Sequence, residues 1–540
     1  PFWLKRVPVS QSKRLPICFA ASRAAFRQPM ASHPQQFCDL IHNVARDLAR
    51  LIPGLAWSHS SDSRALPVAA LGLGTCAAAA AVLTGSVGRM LWAQYGMLVT
   101  CRELPEHDLG LPLIGYSLEV LKESLNAWLT RRMRGREALT TNFLGNNVTL
   151  VSYDVYMRHI HSADVDGLLR PSWNPSTVYL TGSKSVLNLP GGKGHELHRR
   201  LRRKILASFG PKPILACVPR LLDFTRKVLD KAASETAAIG YASFQPLGSE
   251  LAARASTLQI TAGVEADMQD RLIRLLDLIA NGIVSIPVDL GRFSIFGRAQ
   301  AARKEVCGII CDLMRSPTLS SQNLVADLMR PSAEGESFQV DEIVDTVLTL
   351  FLAGKLTTAD ALPALLVQLH QHRDWASRVA EEPLKFRTFE EDSATLRVVR
   401  ESLRLKPPVH IIRREALDPS CSLSLGMHGG APPGESIAAD IGSKLLSMGS
   451  NFDPDRWTRE AVQESTLPFG GSQPHGCIGK TLALAELQLF ARVLCREYDF
   501  DVLSDELCVD PKNPLGLSYK DGLRVRIWHK PVKPVARGGA

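Results

Sequence analysis

The sequence predicts a large, mainly α-helical protein with a small β portion. The chain has 540 residues, of which 45% are hydrophobic, so it can bury one large core or two ordinary ones. Long segments repeat apolar residues at the 3.6-residue period of an amphipathic helix, whereas strand-like stretches are few and short. The sequence contains no P-loop, and no G-x-G-x-x-G follows a predicted strand, so the chain lacks an obvious nucleotide site of its own.

The helical period is clearest in five segments, and two short stretches have the character of strands. The predicted helices are Gly194–Phe209, Pro219–Ala237, Asp267–Val284, Val340–Gln371 and Thr481–Tyr498. The predicted strands are Val148–Val151 and Leu523–Trp528. We expect residues 100–540 to form one catalytic domain, reached through a stiff Pro- and Gly-rich connector.

The formal net charge of +9 is unevenly distributed. Residues 1–38 carry six basic residues and no acid, so the remainder has an ordinary charge of about +3. The basic composition therefore gives little support for nucleic-acid binding, and we expect no such partner. We interpret residues 1–64 as a basic segment that is either an organellar transit peptide or a disordered tail.

Residues 65–88 form an uncharged run rich in Ala and Gly, bracketed by Arg64 and Arg89. Its length is sufficient for a single transmembrane helix, and Trp92 and Tyr95 beyond it suit a membrane interface. We therefore predict an N-terminal membrane anchor. A buried or cleaved segment is the alternative interpretation.

A single cysteine lies on a glycine-rich loop at the start of the last long helix, in "LPFGGSQPHGCIGKTLALAEL" (467–487). A thiolate at Cys477 would be a soft, electron-donating metal ligand, and backbone amides at a helix N-terminus stabilise its anionic form. Glycines such as Gly479 let the backbone approach a flat ligand closely. A buried free cysteine at a helix start would give the same local pattern.

Four other motifs precede this loop, and two of them form one group. "ESLR" places Glu401 and Arg404 on one helix face, and "FDPDRW" adds Arg456, so that the three could lock the loop in place. "FLAGKLTTADAL" sets small residues and two threonines in an apolar helix, where a ligand could approach: Ala353, Gly354, Thr357 and Thr358. "HELHRRLRRKILASF" places His198 and Arg202 one turn apart, an arrangement that suits anionic carboxylates. An exposed ion pair, ordinary helix packing and a solvated basic face are the respective alternatives.

Together, and in this order, these motifs resemble the cytochrome P450 superfamily from about Leu104 to the end of the chain. The resemblance implies a mainly α P450 fold with haem b, whose iron is held by Cys477. It implies a structural cluster of Glu401, Arg404 and Arg456, and an oxygen-binding helix stretch with Ala353, Gly354, Thr357 and Thr358. It also implies a haem cradle consisting of His198, Arg202, Arg414, Phe469, His475 and Gly479. "PPVHIIRREAL" and "KDGLRVRIW" look closest to the subgroup that oxidises retinoids, sterols and other terpenoids.

The sequence departs from the family pattern at three places. Phe469 lies eight residues before Cys477 instead of seven, and His475 occupies a slot that is usually a fixed positive charge. Leu356 stands where the family usually has an acid directly before the threonine, so proton delivery to bound dioxygen should be slower. Asp360, one turn further on, is a candidate substitute. The stretch between Arg414 and Phe452 is short for the family.

The resemblance implies a monooxygenase that inserts one oxygen atom of O2 into an apolar small molecule. Electrons would come from NADPH through a separate reductase or ferredoxin, at the endoplasmic reticulum membrane or in an organelle such as a plastid. One alternative function is a haem-thiolate hydroperoxide isomerase or dehydratase that needs no reductase, an activity that Leu356 favours. Another is a weakly active haem-binding homologue.

Overall fold

The computed structural model describes residues 106–531, with gaps at 112–114, 124, 144–145, 262–264, 317–322, 332–334, 433, 460–463, 472–473 and 510–516. The chain divides into two compact units, Pro1–Ala81 and Val82–Ala540, and every described residue lies in the second. The predicted basic segment (1–64) and membrane anchor (65–88) lie outside the described residues.

Helices dominate the described part of the chain, as predicted. In chain order they are α1 Ser117–Glu123, α2 Leu125–Arg132, α3 Tyr153–Val155, α4 His161–Val165, α5 Pro175–Thr181, α6 Glu196–Ser208, α7 Pro211–Ile239, α8 Phe244–Thr261, α9 Ala266–Ile283, α10 Ile295–Arg315, α11 Leu324–Met329, α12 Val340–Gln371, α13 Arg373–Glu381, α14 Ala394–Leu405, α15 Ile441–Ser447, α16 Arg456–Arg459 and α17 Lys480–Glu497. A π-helical turn joins α3 to α4, and short 3-10 turns occur in several loops.

The strands are short and form small sheets. They are β1 Ala138–Phe143, β2 Asn146–Ser152, β3 Leu169–Pro171, β4 Ala242–Ser243, β5 Ile411–Ala416, β6 Leu423–Ser424, β7 Gly430–Ala431, β8 Ser436–Asp440, β9 Tyr498–Ser504, β10 Leu507–Val509, β11 Leu517–Tyr519 and β12 Arg524–His529. The largest sheet has the order β1-β2-β8-β5-β3, a three-stranded sheet has the order β4-β12-β9, and β6-β7 and β10-β11 are two-stranded. The β2–β8 pair is parallel, and its neighbours in the sheet are antiparallel.

The helix α12 runs through the main core and is buried along most of its length. It begins at a capping box, in which the Gln339 backbone N–H donates to Glu342 Oε2 at 2.8 Å. It packs along α8, where Gly354 allows a close approach to Ser256: a Cβ at Gly354 would lie 2.8 Å from the Ser256 Cβ. This contact fixes α12 beside α8 and sets the position of the site described below.

The structure reproduces the predicted helix positions and corrects one boundary. The predicted helix Val340–Gln371 has the observed bounds, and the helices α6, α9 and α17 differ from prediction by two residues or fewer at each end. The helix predicted from Pro219 begins eight residues earlier, at Pro211. Pro219 has no backbone N–H to donate and usually breaks a helix. Here Ile214, before Pro219, and Leu221, after it, are both buried in one core cluster, which keeps the helix continuous.

By length and apolar composition, one helix among the described residues could cross a membrane, and α6 with α7 would do so if counted as one bent span. That helix is α12, which is mostly buried inside the protein. A core helix passes the same test, so this is a weak indication of a membrane span.

Candidate active site

The loop before α17 is closed by a hydrogen bond that spans its length. The Cys477 backbone N–H donates to the Phe469 carbonyl oxygen at 2.7 Å, and the Gly470 N–H donates to the Leu467 carbonyl at 2.9 Å. Gly470 and Gly471 both have positive φ, +85° and +65°, which other residues rarely adopt. The consecutive glycines thus turn the chain within the eight-residue interval that the sequence shows between Phe469 and Cys477.

The Cys477 thiol is closely surrounded by protein atoms. Enclosure by protein raises the pKa of this thiol, although its side chain is accessible to water. Three groups oppose the rise in pKa: a hydrogen bond from the Gly479 backbone N–H and the positive charges of Arg202 and Lys480. Burial is the largest of these effects on the pKa, while the Gly479 N–H and the two cations favour the ionised form of the thiol.

One face of the central helix α12 is exposed although the helix lies in the core. The exposed residues are Ala353, Leu356, Thr357 and Asp360, spaced one helical turn apart along a single stripe. The Thr357 hydroxyl donates to the Ala353 carbonyl at 3.0 Å. Leu356 presents an apolar side chain, 37% exposed, in the slot where an acid was expected. This stripe, defined by these four residues, is the α12 stripe.

The other two predicted residues of α12 lie off the stripe. Thr358 is buried, with 4% of its surface exposed. A side chain at Gly354 would point at Ser256 of α8, so the glycine permits the close packing of α12 against α8. The structure therefore separates Ala353 and Thr357, which are exposed, from Gly354 and Thr358, which are not.

A basic and imidazole-rich surface borders the same region. The His198 and His475 rings lie 4.6 Å apart between centroids, and a Cβ at Gly191 would be 2.7 Å from His475 Cε1. Burial is the main cause that lowers the pKa of His198 to about 3 and of His475 to about 4. The His475 Nε2 hydrogen-bonds to the Leu189 carbonyl at 3.0 Å, and its buried Nδ1 has no partner among the described residues. Both rings are therefore neutral at physiological pH.

Arg202 lies on the same helix as His198 and is half-buried. Burial lowers the pKa of its guanidinium, and the Cys477 thiolate form opposes that effect, which places the two side chains within electrostatic range. No carboxylate pairs with Arg202 in the part of the chain that the structure describes. A half-buried guanidinium without an acid nearby suits an anionic ligand.

Arg414, predicted to face the same ligand, already has a carboxylate partner. Its Nε donates to Asp164 Oδ2 at 3.0 Å, and the Tyr156 hydroxyl donates to the same oxygen at 2.8 Å. Asp164 and Tyr156 have no exposed surface, and Arg414 is 5% exposed. No local pattern in the sequence indicates this buried group, because Asp164 and Arg414 are 250 residues apart.

The structure brings the three residues of the predicted structural cluster together around one carboxylate. Arg404 donates to both oxygens of Glu401, and Arg456 Nε donates to Glu401 Oε1 at 3.2 Å. The Trp457 indole N–H and the Asp453 backbone N–H also donate to Glu401. Arg404 further donates to the carbonyls of Leu445, Gly449 and Asn451, so the cluster ties α14 to the segment that leads to the Cys477 loop.

These residues fit a flat, dianionic, iron-bearing cofactor. Cys477 offers a thiol to a metal, and the α12 stripe borders the open interior. Arg202, which no carboxylate pairs with among the described residues, offers donors to carboxylates, whereas the His475 Nε2–H is donated to the Leu189 carbonyl and its Nδ1 donates only when the ring is protonated. The group that could hold haem b therefore consists of Cys477, Arg202, His198 and His475, with Arg414 partly engaged by Asp164.

Comparisons with known proteins agree with this geometry. The family model described as cytochrome P450 matches residues 295–424 and 445–522, which include Cys477, Glu401 and the α12 stripe. Cytochrome P450 26C1 of Homo sapiens is 27% identical over 526 residues, covering 87% of this chain and 97% of the relative. Abscisic acid 8'-hydroxylase 4 of Arabidopsis thaliana is 23% identical over 453 residues, covering 77% of this chain and 92% of the relative.

A solved structure shares the fold. The retinoic-acid-bound cyanobacterial CYP120A1 superposes with a TM-score of 0.66 at 23% identity, and the match covers 79% of this chain and all of that chain. The family-model match, the curated relatives and the shared fold together support membership of the cytochrome P450 superfamily, whose monooxygenases use haem b and receive electrons from a redox partner.

Proposed function

We propose that the chain is a membrane-anchored haem-thiolate monooxygenase that inserts one oxygen atom of dioxygen into an apolar terpenoid or related lipid. The observation that carries the proposal is the accessible thiol of Cys477 inside the fold, within electrostatic range of Arg202. Bound haem b supplies an iron that activates dioxygen, and a thiolate ligand donates electron density that favours O–O cleavage.

In this proposal Cys477 would hold the iron of the cofactor as its thiolate ligand. Its thiol must lose a proton when it binds a metal, and a coordinating cation provides the largest drive for that loss. The Gly479 N–H, Arg202 and Lys480 already favour the ionised form, while burial alone opposes it. The Phe469 carbonyl accepts the Cys477 N–H, which fixes the backbone from which the thiol projects.

Arg202, His198 and His475 would receive the carboxylates of the cofactor. Arg202 contributes a fixed charge and the neutral imidazole of His198 a single N–H donor, while His475, whose Nε2–H is donated to the Leu189 carbonyl, would donate from Nδ1 only when protonated. Arg414 is the fourth member of this cradle, and Asp164 fixes its orientation.

Thr357 would hold a proton-conducting water at the α12 stripe. Its hydroxyl donates to the Ala353 carbonyl, which leaves the oxygen lone pairs free to accept from a water. Leu356 cannot donate a proton, so delivery depends on water and on Asp360, which shares the stripe.

Two observations support the proposed substrate class. Ala353 and Leu356 give the stripe an apolar surface, which suits an apolar ligand. A relative at 23% identity is named for hydroxylation of abscisic acid. We infer a substrate among sterols, retinoids, carotenoids or similar terpenoids.

The electron donor would be a separate NADPH-dependent reductase or a ferredoxin. Residues 65–88 would anchor the enzyme to the endoplasmic reticulum or to an organelle membrane such as that of a plastid, on the evidence of their uncharged composition.

One observation favours a second candidate function. The apolar Leu356 in the acid slot suits a haem-thiolate isomerase or dehydratase, because rearranging a lipid hydroperoxide needs no proton delivery to dioxygen. Such an enzyme would need no reductase. A weakly active haem-binding homologue is the remaining alternative.

The test begins with the difference spectrum of the full-length, dithionite-reduced protein with and without carbon monoxide. We expect the red-shifted Soret band of thiolate ligation. It should be absent in Cys477→Ala and retained in Cys421→Ala, which removes an exposed cysteine elsewhere. A wild-type protein that binds haem without this band would overturn both candidate activities.

Turnover then separates the two activities. Product from a terpenoid panel with NADPH and a reductase supports the monooxygenase. Product from a fatty-acid hydroperoxide alone, with none from NADPH and reductase, supports the isomerase. A thiolate band without turnover in either assay supports the weakly active homologue.

A further inference from the structure

We propose that Asp164 is a charge-setting residue of the haem site, which cancels the charge of Arg414 and so lowers the reduction potential of the iron. The inference rests on the haem site proposed above and concerns how this chain holds the carboxylate end of the cofactor. Asp164 lies on α4 and Arg414 on β5, so the pair also joins the loop region before α6 to the five-stranded sheet.

Asp164 and Arg414 form a buried ion pair that contains a direct hydrogen bond. The Asp164 Oδ2 accepts from Arg414 Nε at 3.0 Å and from the Tyr156 hydroxyl at 2.8 Å, with no exposed surface on the acid. One oxygen of Asp164 thus accepts from two donors, one of which is a charged guanidinium. This arrangement is typical of an ionised carboxylate. The Asp164 Oδ1 is buried without a hydrogen-bond partner among the described residues, so part of the negative charge is left uncompensated locally.

Asp164 also acts electrostatically on the cofactor side of the site. Its negative charge works to raise the pKa of His198, and the charge of Arg414 works to lower the pKa of His475, although burial dominates for both rings. Asp164, Arg414, His198, His475 and Arg202 therefore form one electrostatic group around the two imidazoles.

The charges of this group can be counted. Arg202 and Arg414 are positive, and Asp164, which is paired with Arg414, is negative. These three side chains thus offer a net charge of +1 to the two carboxylates of haem b. Without Asp164 the protein charge would be +2, and the carboxylates would be balanced.

An uncompensated negative charge near the cofactor favours the more positive, ferric iron. Removing the charge of Asp164 should therefore shift the one-electron reduction equilibrium toward ferrous iron by about tenfold, which corresponds to about 59 mV. The same removal frees Arg414 to pair fully with a cofactor carboxylate, so it should also slow the loss of haem.

The experiment compares full-length holoproteins of wild type, Asp164→Asn and Asp166→Asn. Asp166 is the matched control, because it is two residues away, carries the same charge and forms an exposed ion pair with Lys193. Redox titration followed by absorbance gives the potential, and transfer of haem to excess apomyoglobin gives the rate of loss. We expect Asp164→Asn to raise the potential and slow haem loss, with Asp166→Asn unchanged.

A second pair of variants keeps the proposal testable if Asp164→Asn fails to load haem. Tyr156→Phe removes a donor that partly compensates Asp164, so it should lower the potential, whereas Asp164→Glu keeps the charge and should stay near wild type. An unchanged reduction potential in Asp164→Asn, or a raised one in Tyr156→Phe, would refute the charge-setting role. Asp164 would then serve only as the structural ion-pair partner of Arg414. A wild type without a thiolate spectrum would instead refute the proposed function itself.

Discussion

Glu401 and Arg404 form a two-point ion pair with no exposed surface on either side chain. Arg404 Nε and Nη2 donate to the two Glu401 oxygens at 2.9 and 2.8 Å, across one turn of α14. Arg456 adds a second guanidinium to the same carboxylate. Such a pair is not strongly stabilising by itself, but removing one partner leaves a buried charge without compensation.

Glu401→Gln should therefore unfold the protein far more easily than an exposed change of the same kind. It keeps the shape of the side chain but removes the anion that Arg404 and Arg456 share. We expect the free energy of unfolding to fall by about 3–5 kcal/mol, measured by urea denaturation.

Glu305→Gln is the control for that variant. Glu305 pairs with Arg271 at 2.6 Å where both side chains are exposed, so its loss should cost about 0–1 kcal/mol. Equal effects of the two substitutions would show that the Glu401 cluster does not stabilise the fold beyond an ordinary surface pair.

Gly354→Ala tests whether this glycine serves packing or ligand approach. The added Cβ would lie 2.8 Å from the Ser256 Cβ, so α8 and α12 must move apart. We expect a loss of about 1–3 kcal/mol in unfolding free energy. Adding Ser256→Gly should recover much of it, because the clash is then removed.

Gly308→Ala is the matched control for Gly354. Gly308 also lies inside a helix, α10, but a Cβ there would meet nothing within 4 Å. Its replacement should stabilise the protein by up to about 1 kcal/mol, since alanine is the better helix former. If Gly354→Ala instead stabilised the protein, the packing role would be contradicted. The result would then favour the predicted role of Gly354 in ligand approach.

Leu356→Asp tests whether proton delivery limits oxygen chemistry. The residue lies on the exposed α12 stripe next to Thr357, so a carboxyl there can exchange protons with interior water. General acid catalysis commonly contributes about 10²–10⁴-fold, and we expect oxygen-dependent turnover with NADPH and reductase to rise at least about tenfold.

Leu356→Asn separates acidity from polarity in the same position. It should leave turnover near that of the wild type, because an amide does not donate a titratable proton. No gain in Leu356→Asp would indicate that protons arrive by another route, and a loss in Asp360→Asn would then identify that residue.

Local patterns in the sequence predicted the helices well, because the apolar period that indicates a helix lies within the residues of that helix. The helix Val340–Gln371 combines a sustained apolar period with acidic residues in its first turn, and its bounds agree with the structure. The start of α7 was missed because Pro219 reads locally as a helix breaker. Burial of both flanking segments in the core overrides that signal, and burial is not visible in one local window.

The site was predictable where motif and geometry coincide, as for Glu401, Arg404 and Arg456. It was not predictable where contacts join distant segments. Asp164 pairs with Arg414 from 250 residues away, and Ser256 meets Gly354 from another helix. Without coordinates, nothing distinguishes Asp164 from Asp166, although one is buried and the other is exposed. The side of α12 that faces the interior follows only from the packing of α8.

Glu486→Gln should stabilise the protein at neutral and alkaline pH. Glu486 lies on α17 with 4% of its surface exposed, and its Oε2 has no hydrogen-bond partner among the described residues. Burial alone raises the pKa of this carboxyl well above its usual value. The folded protein then binds a proton that the unfolded chain releases, so the free energy of unfolding falls as pH rises above about 4.5 towards the folded pKa.

The Glu486→Gln substitution keeps the size of the side chain and removes the proton linkage. We expect urea unfolding of Glu486→Gln at pH 8 to show a gain beyond the ±0.5 kcal/mol typical of surface changes, and at pH 4.5 a much smaller one. Glu381→Gln, at an exposed position on α13, should show neither effect. A gain for Glu486→Gln that is the same at both pH values would mean that the carboxyl does not titrate on unfolding.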